Sequence, residues 1–333
     1  MKKSGFLTCL VALFLLSCGN GQKKFKIEGS FKGFNQGELY VYGLNGAHKL
    51  DTIAVNGGEF TYQAAIAEPT TLVVVFPNFS EIPVFAEPGI ALSMEGDASH
   101  LKETEVKGSD TNKEMTAFRL KTNNMLPPEV IGEATSFINE KPSSPISVYL
   151  LNKYFIQTPD PDYTRIQRLV KTIQTAQPNN EAISVLSRKL DGLKNARRGS
   201  RLPSFSTIGL NGERVTSADV NAKVNVITLW ASWNYESISI QNQLARLQKM
   251  HPGDLKVLSI SVDGSVKDCK QIVDRDSINW STVCDGRMWE TPVLQQIGLT
   301  YLPDNIVMDS QGRILGRSLN YQDLNIKIEE LIK

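Results

Sequence analysis

Apolar and polar positions alternate with a period of two along the first part of the chain. Gly37 to Tyr42 alternates around Leu39 and Val41, and Asp51 to Val55 alternates around Ile53. Successive strand residues point to opposite faces, so this spacing predicts short strands with one face turned inward. Asn56-Gly57 is a strong hairpin signal, with Glu59 to Tyr62 as the return strand. Thr70 to Phe76 is a continuous, valine-rich apolar run that fits a buried strand. Pro83, Pro88 and Gly89 punctuate the remaining segments. Residues 25–110 are therefore expected to form a small all-β domain, a sandwich or a partly open barrel.

The period then changes. Ile166, Leu169, Val170 and Ile173 recur at helical spacing, as do Ile183, Leu186, Leu190 and Leu193. These stripes predict packing faces of a helical connecting region over residues 111–198, broken at Pro127-Pro128 and between Pro142 and Pro145. From residue 199 to 333 strands alternate with helices. Val224 to Trp230 and Leu255 to Val262 read as buried strands; Ile238 to Met250 and Val266 to Val273 read as helices. Asp309-Ser310-Gln311-Gly312 predicts a hairpin turn, and Gln322 to Ile332 a closing helix. This order implies a mixed central sheet with helices on both faces.

The first residues read differently. Lys2 and Lys3 precede a short apolar run from Phe6 to Leu16, too short to span a bilayer but suited to a secretory signal. Leu15-Leu16-Ser17-Cys18 resembles a bacterial lipobox. The resemblance implies removal of residues 1–17, with Cys9 among them, and a lipid on Cys18 that tethers residues 18–24 to a membrane. An ordinary signal peptide with a chance cysteine is the alternative. No acidic residue closely follows Cys18, which by resemblance to lipoprotein sorting signals points to the outer membrane, facing the periplasm.

At 333 residues the chain suits two or three domains, and its formal charge of +1 gives no net electrostatic case for nucleic acid. Three scattered histidines supply no metal-ligand cluster, and no phosphate loop is present, so no cofactor is expected. The basic cluster Arg197-Arg198-Gly199-Ser200-Arg201 reads as a solvated linker.

Two resemblances add to this. The stretch from FKIEGSFKGF to FAEPGIALSM resembles, over about residues 25 to 115, a domain of unknown function often found ahead of thioredoxin-like domains in envelope lipoproteins. It implies no catalytic residues. The segment LPSFSTIGLNGERVTSADVNAKVNVITLWASWNYES resembles the opening of membrane-associated thiol–disulfide oxidoreductases of the ResA/TlpA type. Pro203, Phe205, Gly212, Asp219 and Lys223 fall on that family's entry motif, and Trp230-Ala231-Ser232-Trp233 on its signature. LKVLSISVDG and GLTYLPDNIVMDSQGRILGR match its later segments. The resemblance implies a thioredoxin-like fold over residues 199–333, with Pro303 as its cis-proline; a trans turn proline is the alternative.

In that family the signature is followed by C-x-x-C, whose first cysteine is activated at a helix N-terminus. Here the four positions read Asn234-Tyr235-Glu236-Ser237, and the position of the relatives' buried carboxylate is Ile240. Asparagine is a strong N-cap and Glu236 suits the first turn, so the helix is expected to persist without its dithiol. Ser237 would need a base, and the nearest histidine, His251, stands well along the same helix. Cys269 and Cys284 remain, as a disulfide or as two separate buried thiols.

No catalytic residue is thus expected at Asn234, Tyr235, Glu236 or Ser237. The expected function is a non-catalytic protein- or peptide-binding or scaffold role. Its groove would be formed by Trp230, Trp233, Asn234, Tyr235, Leu302 and Pro303, and its partner would be an envelope protein or an extended peptide. The alternative is thiol–disulfide exchange or redox homeostasis through Cys269 and Cys284.

Overall fold

The computed structural model describes residues 24–44, 48–78, 80–159 and 161–333. The expected signal peptide with Cys9, the expected lipidation position Cys18 and the expected tether up to residue 23 lie outside the described residues.

Eight strands form the N-terminal sheet: β1 (Phe25–Lys32), β2 (Gln36–Gly43), β3 (Asp51–Asn56), β4 (Glu59–Ala64), β5 (Thr70–Val75), β6 (Glu81–Ala86), β7 (Ala91–Asp97) and β8 (Glu105–Lys107). Their order is β6-β5-β2-β3-β4-β1-β7-β8, one continuous sheet rather than two packed sheets. Every pairing is antiparallel except β1 with β7. The alternation seen in the sequence becomes burial: Phe60, Tyr62 and Ala64 of β4 face inward, as do Phe25, Ile27 and Phe31 of β1. Gly29 has no side chain because the Phe60 ring occupies that space; a Cβ there would stand 1.8 Å from it.

Helix α1 (Asp110–Thr122) lies against both edges of this sheet. Asn112 accepts from the Phe85 N–H (2.9 Å) and donates to the Phe85 carbonyl (2.8 Å) on β6. One turn on, Thr116 Oγ1 accepts from the Val106 N–H (3.1 Å) on β8. Two side chains thereby satisfy main-chain groups on the two edge strands.

Helices α2 (Pro127–Glu140), α3 (Pro145–Leu151), α4 (Tyr163–Ala176) and α5 (Glu181–Asn195) make the connecting layer. Both predicted stripes are buried in a single core cluster, together with Phe85 from the sheet. The helices break at the two expected proline segments, and a proline begins the helix after each break. Pro127 and Pro145 sit in first turns, where the missing N–H has no intrahelical partner to lose.

The C-terminal domain opens with the short pair β9 (Ser206–Ile208) and β10 (Arg214–Thr216). It continues through β11 (Val224–Trp230), α6 (Tyr235–Met250), β12 (Leu255–Ser261), α7 (Val266–Arg275), β13 (Thr282–Val283), α8 (Pro292–Ile297), β14 (Asp304–Asp309), β15 (Ile314–Arg317) and α9 (Tyr321–Ile332). The sheet order is β13-β12-β11-β14-β15, with β11, β12 and β13 parallel and β14 and β15 antiparallel. Every residue of β11 is buried. Val224 and Val226 pack with Ile240, Leu244 and Leu247 of α6 and with Leu324 and Ile328 of α9; Ile227 and Leu229 pack with Val293 and Leu294 of α8. A mixed sheet of this order, covered on both faces, is a thioredoxin-like fold.

The units are joined by specific packing. Helices α5 and α8 meet at Gly192 and Gly298, where a Cβ would stand 1.9 Å from the Gln295 carbonyl and 2.6 Å from Leu193 backbone respectively. Tyr42, Val73 and Val75 of the N-terminal sheet bury Met288 of the C-terminal domain, with Leu50 and Trp289 beside them. Among the described residues no helix is long and apolar enough to cross a membrane.

Candidate functional site

The edge of the C-terminal sheet where β11 gives way to α6 is where the sequence motifs converge. Asn234 is the N-cap of α6: its side chain accepts from the Ser237 N–H at 2.8 Å. The cap extends the helix three residues beyond the apolar stripe, so α6 begins at Tyr235 rather than at Ile238. Ser237 is buried. Its hydroxyl donates to the Asn234 carbonyl (2.8 Å) and accepts from the Ala231 N–H (3.1 Å), which braces the turn.

A nucleophilic Ser237 is excluded by distance as well as by these bonds. His251 is the C-cap of the same helix, fourteen residues on, so about 21 Å along the axis. There it contacts Glu329 at 3.2 Å. Ile240 is buried on the sheet among aliphatic side chains. No base or acid reaches the tip from any of these positions.

Strand β14 runs antiparallel beside β11 with Leu229 opposite Asp304, which places Pro303 alongside the end of β11. The Leu302–Pro303 bond is cis, as the family resemblance implies. Tyr235 is 86% exposed, while Trp233, Leu302 and Trp289 are half-buried against the same core cluster. Among the described residues no backbone group pairs with the N–H or the carbonyl of Leu302. Trp230, expected in the groove, is wholly buried instead. It is the last residue of β11, and its ring points into a cluster with Cys269 and Cys284.

Two buried carboxyl groups flank this edge, and neither was read from the sequence. Asp263 follows β12. It accepts from the Ser232 N–H (3.0 Å), the Ser232 hydroxyl (2.7 Å) and the Ser261 hydroxyl (2.6 Å). Burial pushes its carboxyl above the usual range, and these donors only partly offset that. The signal available was Ser261-Val262-Asp263 at the end of a buried strand, where a serine and an aspartate two residues apart share a side. Asp304 is enclosed completely and is pushed up to about 6 by burial, against Arg317 at 3.8 Å and the Ser318 hydroxyl at 3.0 Å. The Tyr301 hydroxyl, beside it, is also raised by burial.

Cys269 lies in the first turns of α7 and Cys284 directly after β13. Both are buried free thiols, packed with Trp230. Among the described residues no group of His, Cys, Asp and Glu could hold a metal ion.

Comparison with known proteins gives two kinds of match. The family described as domain of unknown function DUF4369 matches residues 25–115. Solved structures match over about two fifths of the chain. A thiol-disulfide oxidoreductase from Bacteroides fragilis is 27% identical, with 40% of this chain and 99% of that one covered and a TM-score of 0.36. The thioredoxin domain of a thiol-disulfide oxidoreductase from Bacteroides vulgatus is 21% identical, covers 41% and 99%, and has a TM-score of 0.38. A DsbF homologue from Corynebacterium diphtheriae is 22% identical, covers 39% and 85%, and has a TM-score of 0.35. No curated protein matches the chain.

Proposed function

We propose that the C-terminal domain is a binding module that holds an extended segment of an envelope protein, with no thiol exchange at its helix tip. One observation carries this reading. Exposed Tyr235 and the unpaired main chain of Leu302 flank a tip where Asn234 and Ser237 hydrogen-bond within their own turn. Such a surface offers apolar contact and strand-type pairing, and it offers no nucleophile. A lipid on Cys18 would hold the module at the periplasmic side of the outer membrane, and the N-terminal sheet would supply a second contact surface.

The test is site-specific photocrosslinking in intact cells from Tyr235, with exposed Ile208 as the control position. Discrete adducts are expected from Tyr235 alone. Substituting Leu302→Pro, which removes the N–H needed for pairing, is expected to lower their yield about tenfold, the scale of one lost anchor contact. Equal yields from Tyr235 and Ile208 would end this reading. For the tether, metabolic labelling with an alkyne fatty acid is expected to mark the chain and to fail in Cys18→Ser.

A further inference from the structure

Behind the helix tip lies a pair of cysteines for which the binding reading has no use. In a parallel sheet a strand's C-terminal end and the next helix's N-terminus share an edge. That topology brings Cys269 of α7 and Cys284 after β13 into one cluster, capped by the Trp230 ring. The Cys269 thiol donates to Cys284, and the Ser261 oxygen lies beside both thiols. Cys284 in turn donates to the Asp263 carbonyl at 4.0 Å. Cys269 is fully enclosed, whereas Cys284 is 7% exposed.

The two sulfurs are unequal. The bond from Cys269 holds the Cys284 thiol below its usual range, against the effect of burial. Cys269, which gives that bond and is buried, is pushed up. Thiolate is the attacking form, so Cys284 is both the more accessible and the more readily activated of the pair.

We propose that Cys269 and Cys284 are a reversible disulfide site, oxidised by a small disulfide of the glutathione class and linked to the helix tip through Ser261 and Asp263. The Cys284 thiolate attacks one sulfur of the oxidant, forming a mixed disulfide and releasing one glutathione thiolate. Cys269, losing its proton, attacks the Cys284 sulfur and releases the second. The protein pair loses two electrons and two protons, and the small disulfide becomes two thiols.

Closure has a structural consequence. Without its hydrogen Cys284 no longer donates to the Asp263 carbonyl, and the Ser261 oxygen loses the polar S–H groups beside it. Ser261 is the hydroxyl that donates to Asp263, and Asp263 holds both the N–H and the hydroxyl of Ser232. Ser232 lies two residues before the cap of α6. On the outer side Leu50 covers Gly264, whose Cβ, if it had one, would stand 2.1 Å from Leu50 Cδ2. The loop that carries Asp263 is thus clamped between the thiols and the N-terminal domain.

The test uses the full chain, reduced, freed of reductant and incubated with excess glutathione disulfide. Acid quenching, denaturation, alkylation and peptide mass mapping then read each cysteine separately. The expected result is a peptide pair joined through Cys269 and Cys284 that dithiothreitol separates. In Cys269→Ser the reaction is expected to stop at glutathione on Cys284. Free thiols at both positions, or a separate glutathione on each, in the wild-type chain would overturn the site. Amide exchange of Ser232 is expected to speed up at least tenfold on oxidation. An unchanged rate in the linked form would overturn the connection to the tip. Neither readout depends on peptide binding, so this proposal and the binding one fail separately.

Discussion

The tip of α6 and the thiol pocket behind it are neighbours on one sheet edge with opposite endowments. The tip has access without sulfur: Tyr235 projects into solvent, and the thiol positions hold Asn234 and Ser237. The pocket has sulfur with little access, since Cys269 is fully enclosed and Cys284 nearly so, both packed with Trp230. Helix geometry and side-chain chemistry are therefore separable. An N-cap keeps the helix end that a catalytic cysteine would use, because the cap depends on a hydrogen-bond acceptor and not on a thiolate.

The sharpest way to break this contrast is to give the tip its sulfur. The double variant Asn234→Cys/Ser237→Cys is expected to turn a chain without thiols at the tip into a dithiothreitol-dependent insulin reductase. The first new thiol would sit at a helix N-terminus, which lowers its pKa below about 8.5. A variant that folds yet stays at the wild-type background would show that more than sulfur is missing. Next in size, Trp230→Ala removes the largest fully buried side chain and opens the wall of the pocket. A loss of about 3–5 kcal/mol is expected from urea unfolding, together with faster alkylation of Cys284 in the native state.

A third test concerns Asp304, buried at the start of β14. Its folded pKa of about 6 lies above the unfolded value near 3.8, so the folded state binds its proton more tightly. The resulting stability is fully present below about pH 4 and is lost as pH rises through about 6, a change of about 3 kcal/mol. The stability difference between wild type and Asp304→Asn, followed by urea unfolding from acid to neutral pH, should shift by that amount in the direction unfavourable to wild type. A flat difference would mean that the Arg317 and Ser318 contacts fully offset burial. The smallest effect is expected from Asn234→Ala, a loss of about 1 kcal/mol from the missing cap, with the thiol reactivity of Cys284 unchanged.

Much of this layout was legible in the chain. Alternation, the Asn56-Gly57 turn and the valine-rich run located β2 to β5 to within a residue or two, and helical stripes located the core faces of α4 and α5, because burial follows periodicity. The absence of thiols at positions 234 and 237 needed no structure. The parallel pairing of β1 with β7 was not legible, since nothing local specifies a partner sixty residues away. The inward turn of Trp230 was not foreseen because a signature residue was assigned to the groove, whereas its position at the end of a fully buried strand decides its direction. Asp263 and Asp304 were missed for a related reason. An aspartate at a strand end reads as a turn residue until the serines that donate to it are seen in space.

The place of α1 across the two open sides of the N-terminal sheet bears on where this chain can be divided. The boundary expected from the change of period, after residue 110, separates Asn112 and Thr116 from the main-chain groups they satisfy. A fragment ending there would carry two strands with bare amides and carbonyls, a ready template for joining other copies edge to edge. A soluble N-terminal fragment therefore has to run past Thr122, and the helix acts as a guard against self-association as much as a link to the helical layer.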